Sequence, residues 1–265
     1  MKLGFYTYSY IDRLGMGIEE VLERVAAAGY DSLDLSATWR ADLDPALMPA
    51  EARKAYVRTA SRLNLPIEAV VTHLGLAQSL RDGLPINLAG AVDVARDLGA
   101  PLVTFHIGEG SPDLWPRIVD HLRGACDHAG KHGKLLLLDG VWGPSLASSP
   151  ADAVRLAREV GSPHFRHNYD PCYLELSGFP AAEASLFPHA SHVHAKDYDG
   201  RYPAFRHRIP GEGVMDHAAW IRALHEAGYA GHVANECFID APLERALAVG
   251  HRALSEAMGA CGARP

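Results

Sequence analysis

Cysteine is scarce in this sequence, and Cys126, Cys172, Cys237 and Cys261 form no CxxC pair. That excludes a disulfide framework or a structural zinc ribbon, and reduced thiols are expected. No apolar run approaches the roughly 20 residues that span a bilayer, and residues 1–10 lack the basic start, apolar core and small-residue cleavage site of a secretory leader. A cytoplasmic protein with no membrane partner is expected. Positive charge is also in deficit, with 25 Lys and Arg against 32 Asp and Glu and a formal net charge of -7. Phosphate neutralisation supplies most non-specific affinity for DNA, so no nucleic-acid partner is expected. There is no linker, no low-complexity stretch, and no Gly-rich dinucleotide loop after the first apolar run. The last absence argues against an open, doubly wound sheet.

What is present is alternation. Short apolar or β-branched runs at residues 2–8, 32–36, 67–74, 102–106, 134–139, 165–170, 192–196 and 232–236 are separated by stretches of helical periodicity. Ile18, Val21, Leu22 and Val25 form one apolar stripe, Ala153, Leu156, Ala157 and Val160 a second, and Trp220, Ile221 and Leu224 a third. Pro150 and Pro242 sit where first-turn prolines are tolerated, and Gly29, Gly99, Gly161 and Gly228 where helices end. Eight evenly spaced βα units in 265 residues predict an α/β fold, a single (β/α)8 TIM barrel spanning 1–265.

In such a barrel the chemistry sits at the C-terminal ends of the strands. The third run ends near His73, the fourth at His106, the fifth at Asp139, the sixth at Asp170, the seventh carries His194 and Lys196, and the eighth ends at Glu236. A lone strand-end histidine is more often structural than a ligand, but six consecutive ends converging on one mouth form a joint pattern. Acids placed after runs such as LLLL need a cation or a hydrogen-bond network, because burying an unpaired charge costs on the order of several kcal/mol per ion. Strand alternation puts His192, His194 and Lys196 on one face, with His194 nearer the mouth and His192 an interior histidine. By the same rule Asn168 lies one layer beneath Asp170. The stretch from 199 to 213 brings Arg206, His207 and Arg208 close to the mouth, either to hold an anionic or polyhydroxylated substrate or as a solvated loop. Trp39, Trp142 and Tyr173 follow strand ends and can wall a pocket against a sugar face.

The succession THLG, TFHIG, LLLD, NYDPCY, HVHAKD, PGEG and GYAGHVANECF resembles the sugar phosphate isomerase/epimerase group of xylose isomerase-like barrels, related in fold to AP endonucleases of the endonuclease IV type. The resemblance covers nearly the whole chain. It implies a metal quartet of Asp139, Asp170, His194 and Glu236, with Glu236 and Asp139 as base and acid, and dimers or tetramers as the family's common assemblies. Two positions depart from the family pattern. Asp139 stands where a glutamate is usual, and Tyr173 where a histidine is usual; with Phe205 at a position usually aspartate in the endonucleases, a trinuclear phosphodiesterase site is not expected.

One imidazole and three carboxylates suit one divalent ion, Mn2+ first, with Mg2+, Co2+ and Zn2+ feasible. The expected activity is a metal-dependent isomerase or epimerase acting on a small keto-sugar, sugar phosphate or polyol-derived ketone through an enediolate. Glu236 removes the proton, and Asp139, His106 or Lys196 returns it. His73, Arg206, His207, Arg208, Trp142 and Tyr173 are the expected substrate contacts. A lyase or dehydratase on a related keto-polyol shares the first step, and an AP endonuclease or a non-catalytic sugar-binding barrel stand as minor alternatives.

Overall fold

The computed structural model describes residues 1–37, 47–83, 87–237 and 241–263. Trp39 lies outside them. Eight parallel strands close into a barrel in which each pairs with its neighbours: β1 (Lys2–Tyr6), β2 (Ser32–Ser36), β3 (Ile67–Gly75), β4 (Leu102–His106), β5 (Leu135–Asp139), β6 (Phe165–Tyr169), β7 (Ala190–Ala195) and the last barrel strand β10 (His232–Asn235), which returns to β1. Between β7 and β10 an antiparallel hairpin, β8 (Asp197–Asp199) with β9 (Arg206–Arg208), rises from the mouth.

The helices α1 (Ile18–Ala27), α2 (Ala50–Arg62), α3 (Leu76–Asp82), α4 (Leu88–Leu98), α5 (Trp115–Lys131), α6 (Pro150–Val160), α7 (Pro171–Leu176), α8 (His217–Glu226) and α9 (Leu243–Ala260) connect the strands. The apolar stripes explain their placement, since Val21, Leu22 and Val25, then Ala153, Leu156 and Val160, then Trp220, Ile221 and Leu224 are all buried in the main core. Helix α6 begins where its sequence says it should: Ser149 and Asp152 form a capping box around Pro150, and Gly161 ends it in the left-handed region. Among the described residues no helix is long and apolar enough to cross a membrane.

Strand alternation divides the barrel into two environments. Leu3, Phe5, Leu33, Leu35, Val103, Phe105, Leu136, Leu138, Val193, Ala195 and Val233 join the core between sheet and helices. Their neighbours point inward, where Ala69, Leu102 and Leu137 form a small cluster of their own. Towards the mouth the inward positions turn polar, and the acids and imidazoles collect there.

Strand ends fall one or two residues from the expected bounds, and several of the shifts at the mouth share a cause. Where side chains gather at the mouth the backbone leaves the ladder: β1 stops at Tyr6 because Thr7 O accepts from both Tyr10 N and Ile11 N, starting a short π-type helix over Ser9–Arg13. Asp170 is the N-cap of α7, its carboxylate accepting from Tyr173 N at 3.0 Å.

Three buried or half-buried histidines are held neutral by burial first: His167 down to about 3, His207 to about 4 and His232 to about 4. Each binds a proton more weakly folded than unfolded, so its contribution to stability is complete above about pH 6.5, the ordinary histidine value, and is lost as pH falls to about 4, or to about 3 for His167. Unfolding is therefore expected to take up protons between pH 6.5 and 4, with the thermal midpoint falling over that window. His167→Gln should reduce the proton uptake by up to one, and a variant titrating like the wild type would show that His167 is not the group responsible.

Candidate active site at the barrel mouth

His194 lies at the centre of the mouth and is fully buried. Its Nδ1 is 2.9 Å from Glu236 Oε2 and 3.5 Å from Asp139 Oδ1, while Nε2 faces Asp34 Oδ2 at 3.3 Å. Asp34 sits on β2, three strands round the barrel from β7, so this contact crosses the interior. The same Asp34 oxygen takes His192 Nε2 at 2.6 Å. Asp34 thus hydrogen-bonds His192 and faces His194 Nε2 from below without a well-aligned hydrogen bond to it, while Tyr6 stacks on the His194 ring at 5.8 Å between centroids.

Asp139 also accepts from Asn168 Nδ2 and faces His106 Nε2 at 3.4 Å. Lys196, buried although it is a lysine, sets Nζ against Asp170 Oδ2 and within 2.5 Å of Glu236 Oε2, and lies 4.4 Å over the Tyr173 ring. Asp139, Asp170, Lys196, His194 and Glu236 are therefore brought together, with His106 at their edge. His73 accepts or donates with the Tyr6 hydroxyl at 2.7 Å and packs on Tyr8 at 4.1 Å.

Opposing effects set the charges here. Burial pushes Asp139, Glu236 and Asp34 up, but neighbouring imidazoles and the Lys196 ammonium outweigh it and hold all three low: His194 and His106 for Asp139, His194 and Lys196 for Glu236, His192 and His194 for Asp34. Asp170 is raised, by burial first and by Glu236 and Asp139. Burial works against the charged forms of His194 and Lys196, yet the surrounding carboxylates hold both well above their ordinary values. These carboxylates therefore favour positive charge beside them.

A divalent ion fits this donor set. Neither His194 Nδ1 nor Glu236 Oε2 has a well-aligned hydrogen-bond partner among the described residues, although both are buried. Three carboxylates and one imidazole are a mostly hard set, and a second carboxylate on the far nitrogen of a ligating histidine is the usual way its tautomer and orientation are fixed. The Lys196 ammonium supplies part of the positive charge the carboxylates require.

Around this cluster the rim is aromatic. Trp142 packs on Tyr173 (4.8 Å), Tyr202 (5.5 Å) and Phe205 (5.7 Å), and Phe205 on His207 (5.1 Å). The hairpin carrying three of these is fastened by Asp197, whose carboxylate accepts from Tyr198 N, Gly211 N, Gly213 N and Met215 N at 2.9–3.1 Å. A Cβ at Gly213 would fall 2.1 Å from Asp197 Oδ1, so the PGEG turn requires glycine there. Arg206 and Arg208 both turn to Asp199, which stands opposite Arg206 in the hairpin register; neither is brought to the acid cluster.

Asp34 and Tyr6 were not among the expected site residues. The signal for Asp34 was present, because Ser32, Asp34 and Ser36 alternate with Leu33 and Leu35. A carboxylate on the polar face of an otherwise buried strand points into the barrel.

Comparison with known proteins gives a consistent class. The family model described as xylose isomerase-like TIM barrel matches residues 22–257, and the chain belongs to that family. Fructoselysine 3-epimerase of Shigella flexneri is 26% identical over 151 residues, 54% of this chain and 54% of that protein. The chain thus spans about half the length of the curated relatives it matches. A xylose isomerase domain protein from Alicyclobacillus acidocaldarius superposes with a TM-score of 0.78 at 19% identity over 99% of both chains. The probable 3-DHS dehydratase of petrobactin synthesis from Bacillus anthracis superposes with a TM-score of 0.76 at 15% identity, over 96% of this chain and 99% of that one.

Proposed function

We propose that the chain is a divalent-metal-dependent isomerase or epimerase of a small, unphosphorylated keto-sugar or polyol-derived ketone. The observation that carries this reading is the convergence of Asp139, His194 and Glu236 in one buried cluster, which Asp170 joins through Lys196. An ion held by these four would polarise a substrate carbonyl and its neighbouring hydroxyl and so acidify the adjacent C–H.

Glu236, kept ionised by His194 and Lys196, is placed to take that proton. Asp139, with His106 behind it, and Lys196 are placed to return a proton to the opposite face or to the next carbon, giving the epimer or the isomer. Tyr6 and His73 donate and accept at the floor and orient hydroxyls. The aromatic rim of Trp142, Tyr173, Phe205 and Tyr202 suits the C–H face of a sugar ring, and the neutral His207 beside it offers hydrogen bonds without charge. Arg206 and Arg208 are both engaged by Asp199, so neither is presented to a substrate phosphate. The half-length similarity to a fructoselysine 3-epimerase supports the same class.

One observation favours a second reading. Asp139 is a short acid held by Asn168, which restricts it as a mobile proton carrier, whereas Glu236 is a full-length base. A dehydratase needs one such base and an acid to help expel the β-oxygen, and a probable dehydratase is among the structural neighbours. Stripping the protein of metal, then restoring Mn2+ with pooled keto-sugars and cyclic keto-polyols, tests both by chromatography. A metal-dependent epimer or ketose supports the first reading, a dehydrated product the second, and conversion that is unaffected by stripping contradicts both.

Asp34→Asn tests the support beneath His194. The substitution keeps the shape but removes the charge holding the ring, and loss of such a partner typically lowers metal affinity about 10–100-fold. Mn2+ titration followed by electron paramagnetic resonance should show this weakening, whereas an unchanged affinity would confine Asp34 to a packing role.

A further inference from the structure

At the opposite end of the barrel a second cluster of metal-ligating groups stands on the outer surface. His128 and His132 lie four residues apart, on the last turn of α5 and at its C-cap, with ring centroids 4.9 Å apart. Asp93 on the adjacent α4 places Oδ1 3.2 Å from His128 Nε2 and 4.0 Å from His132 Nε2. One donor atom from each of the three residues lies within 4.8 Å of the others. Since β5 starts at Leu135, just after this turn, the cluster belongs to the strands' N-terminal end, away from the mouth.

We propose that Asp93, His128 and His132 form a separate site for a borderline transition-metal ion of the Zn2+ class. Metal–ligand bonds of about 2.0–2.2 Å at a tetrahedral angle put ligand atoms roughly 3.3 Å apart, and the two observed separations bracket that spacing. Two imidazoles and one carboxylate suit Zn2+, Ni2+ or Cu2+ better than Mg2+, in contrast to the oxygen-rich set at the mouth. The side chains of His128, His132 and Asp93 are 29%, 27% and 40% exposed, so an ion can enter and keep water in the remaining position. The partial negative charge at the C-terminus of α5 favours a cation there.

Two ordinary contacts compete. His128 is hydrogen-bonded to Asp93, and Arg96 Nη1 lies 2.9 Å from the same oxygen. Arg96 also holds Asp97 at 3.0 Å, so it retains a partner when an ion takes Asp93. The His132 imidazole makes no hydrogen bond among the described residues, and its ring turns towards the other two. An ion would join α4 to α5 across their packed surface, and assays run with added Zn2+ would titrate two classes of site.

The test compares Zn2+ bound at saturation, by calorimetry and elemental analysis after desalting, in the wild type and in a His128→Ala/His132→Ala variant. The expected result is one fewer Zn2+ per chain in the variant, with Mn2+-supported activity unchanged. His128→Gln alone, which nearly preserves volume, should weaken that Zn2+ at least tenfold and guards against misfolding of the double variant. Cu2+ should give a two-imidazole nitrogen signature in paramagnetic resonance that the double variant lacks. Equal Zn2+ stoichiometry in folded wild type and variants would overturn the proposal.

Discussion

Glu236→Gln is expected to lower turnover by at least about 10³-fold while the protein stays folded, since general-base catalysis alone is worth roughly 10²–10⁴ and the same carboxylate also faces the proposed ion. Glutamine fills the same space and retains an oxygen, but it cannot accept the substrate proton. Lys196 keeps Asp170 as a partner and His194 keeps Asp139, so the cluster is not left with an isolated charge. Asp139→Asn provides the internal comparison. If both carboxylates shuttle protons, the two losses should be similar; if Asp139 acts only as a ligand, adding excess Mn2+ should recover much of the Asp139→Asn loss and none of the Glu236→Gln loss. Near wild-type turnover by Glu236→Gln would mean that the base has been misassigned.

The second large effect concerns Lys196. Its ammonium is set between Asp170 and Glu236, with Asp139 adding to the field that holds its proton. Lys196→Met leaves those buried carboxylates with His194 and a methionine side chain, and breaking a buried pair by removing one partner costs about 3–5 kcal/mol. Metal-free Lys196→Met should therefore melt well below the wild type. Because Mn2+ would supply the missing charge and no longer compete with an ammonium, it should raise the melting temperature of the variant more than that of the wild type. Calorimetric scans with and without Mn2+ measure both. Equal Mn2+ shifts in the two proteins would show that Lys196 and the ion do not answer the same carboxylates.

These expectations depend on features that were unequally legible in the chain. The barrel follows from eight apolar runs alternating with amphipathic stretches, because each βα unit must bury one face of a strand and one stripe of a helix. The strand-end residues Asp139, Asp170, His194 and Glu236 were legible for a related reason: a polar residue closing an apolar strand points either to the mouth or into an intolerable environment. Alternation on β7 separated His192 from His194, and His192 indeed bonds below, to Asp34.

Long-range pairing was harder to read. Asp34 meets its histidines across the barrel interior, 158 residues apart in the chain for His192, a separation no local pattern encodes. The hairpin β8–β9 was hidden in a loop rich in Gly, Pro and charge, and its register pairs Asp199 with Arg206, which directs two arginines away from the cluster. The aromatic rim has the same origin. Trp142 follows β5, Tyr173 lies in α7 and Phe205 belongs to the hairpin, so only closure of the barrel brings the Trp142 ring to 4.8 Å from Tyr173 and 5.7 Å from Phe205. On the outer surface His128 and His132 were not among the expected site residues, and Asp93 joins them only through the packing of α4 on α5.

Metal-dependent enolisation of a carbonyl substrate by Glu236 leads to solvent exchange next to the carbonyl, whatever the product turns out to be. Protein loaded with Mg2+ or Zn2+ is incubated in D2O with pooled keto-sugars and cyclic keto-polyols, and proton NMR follows the signals next to the carbonyl. The expected result is loss of one such signal that requires the metal and disappears in Glu236→Gln. Exchange that persists after metal removal or in Glu236→Gln, or an absence of exchange while the metal-loaded protein converts one of these compounds, would rule out metal-dependent enolisation by Glu236.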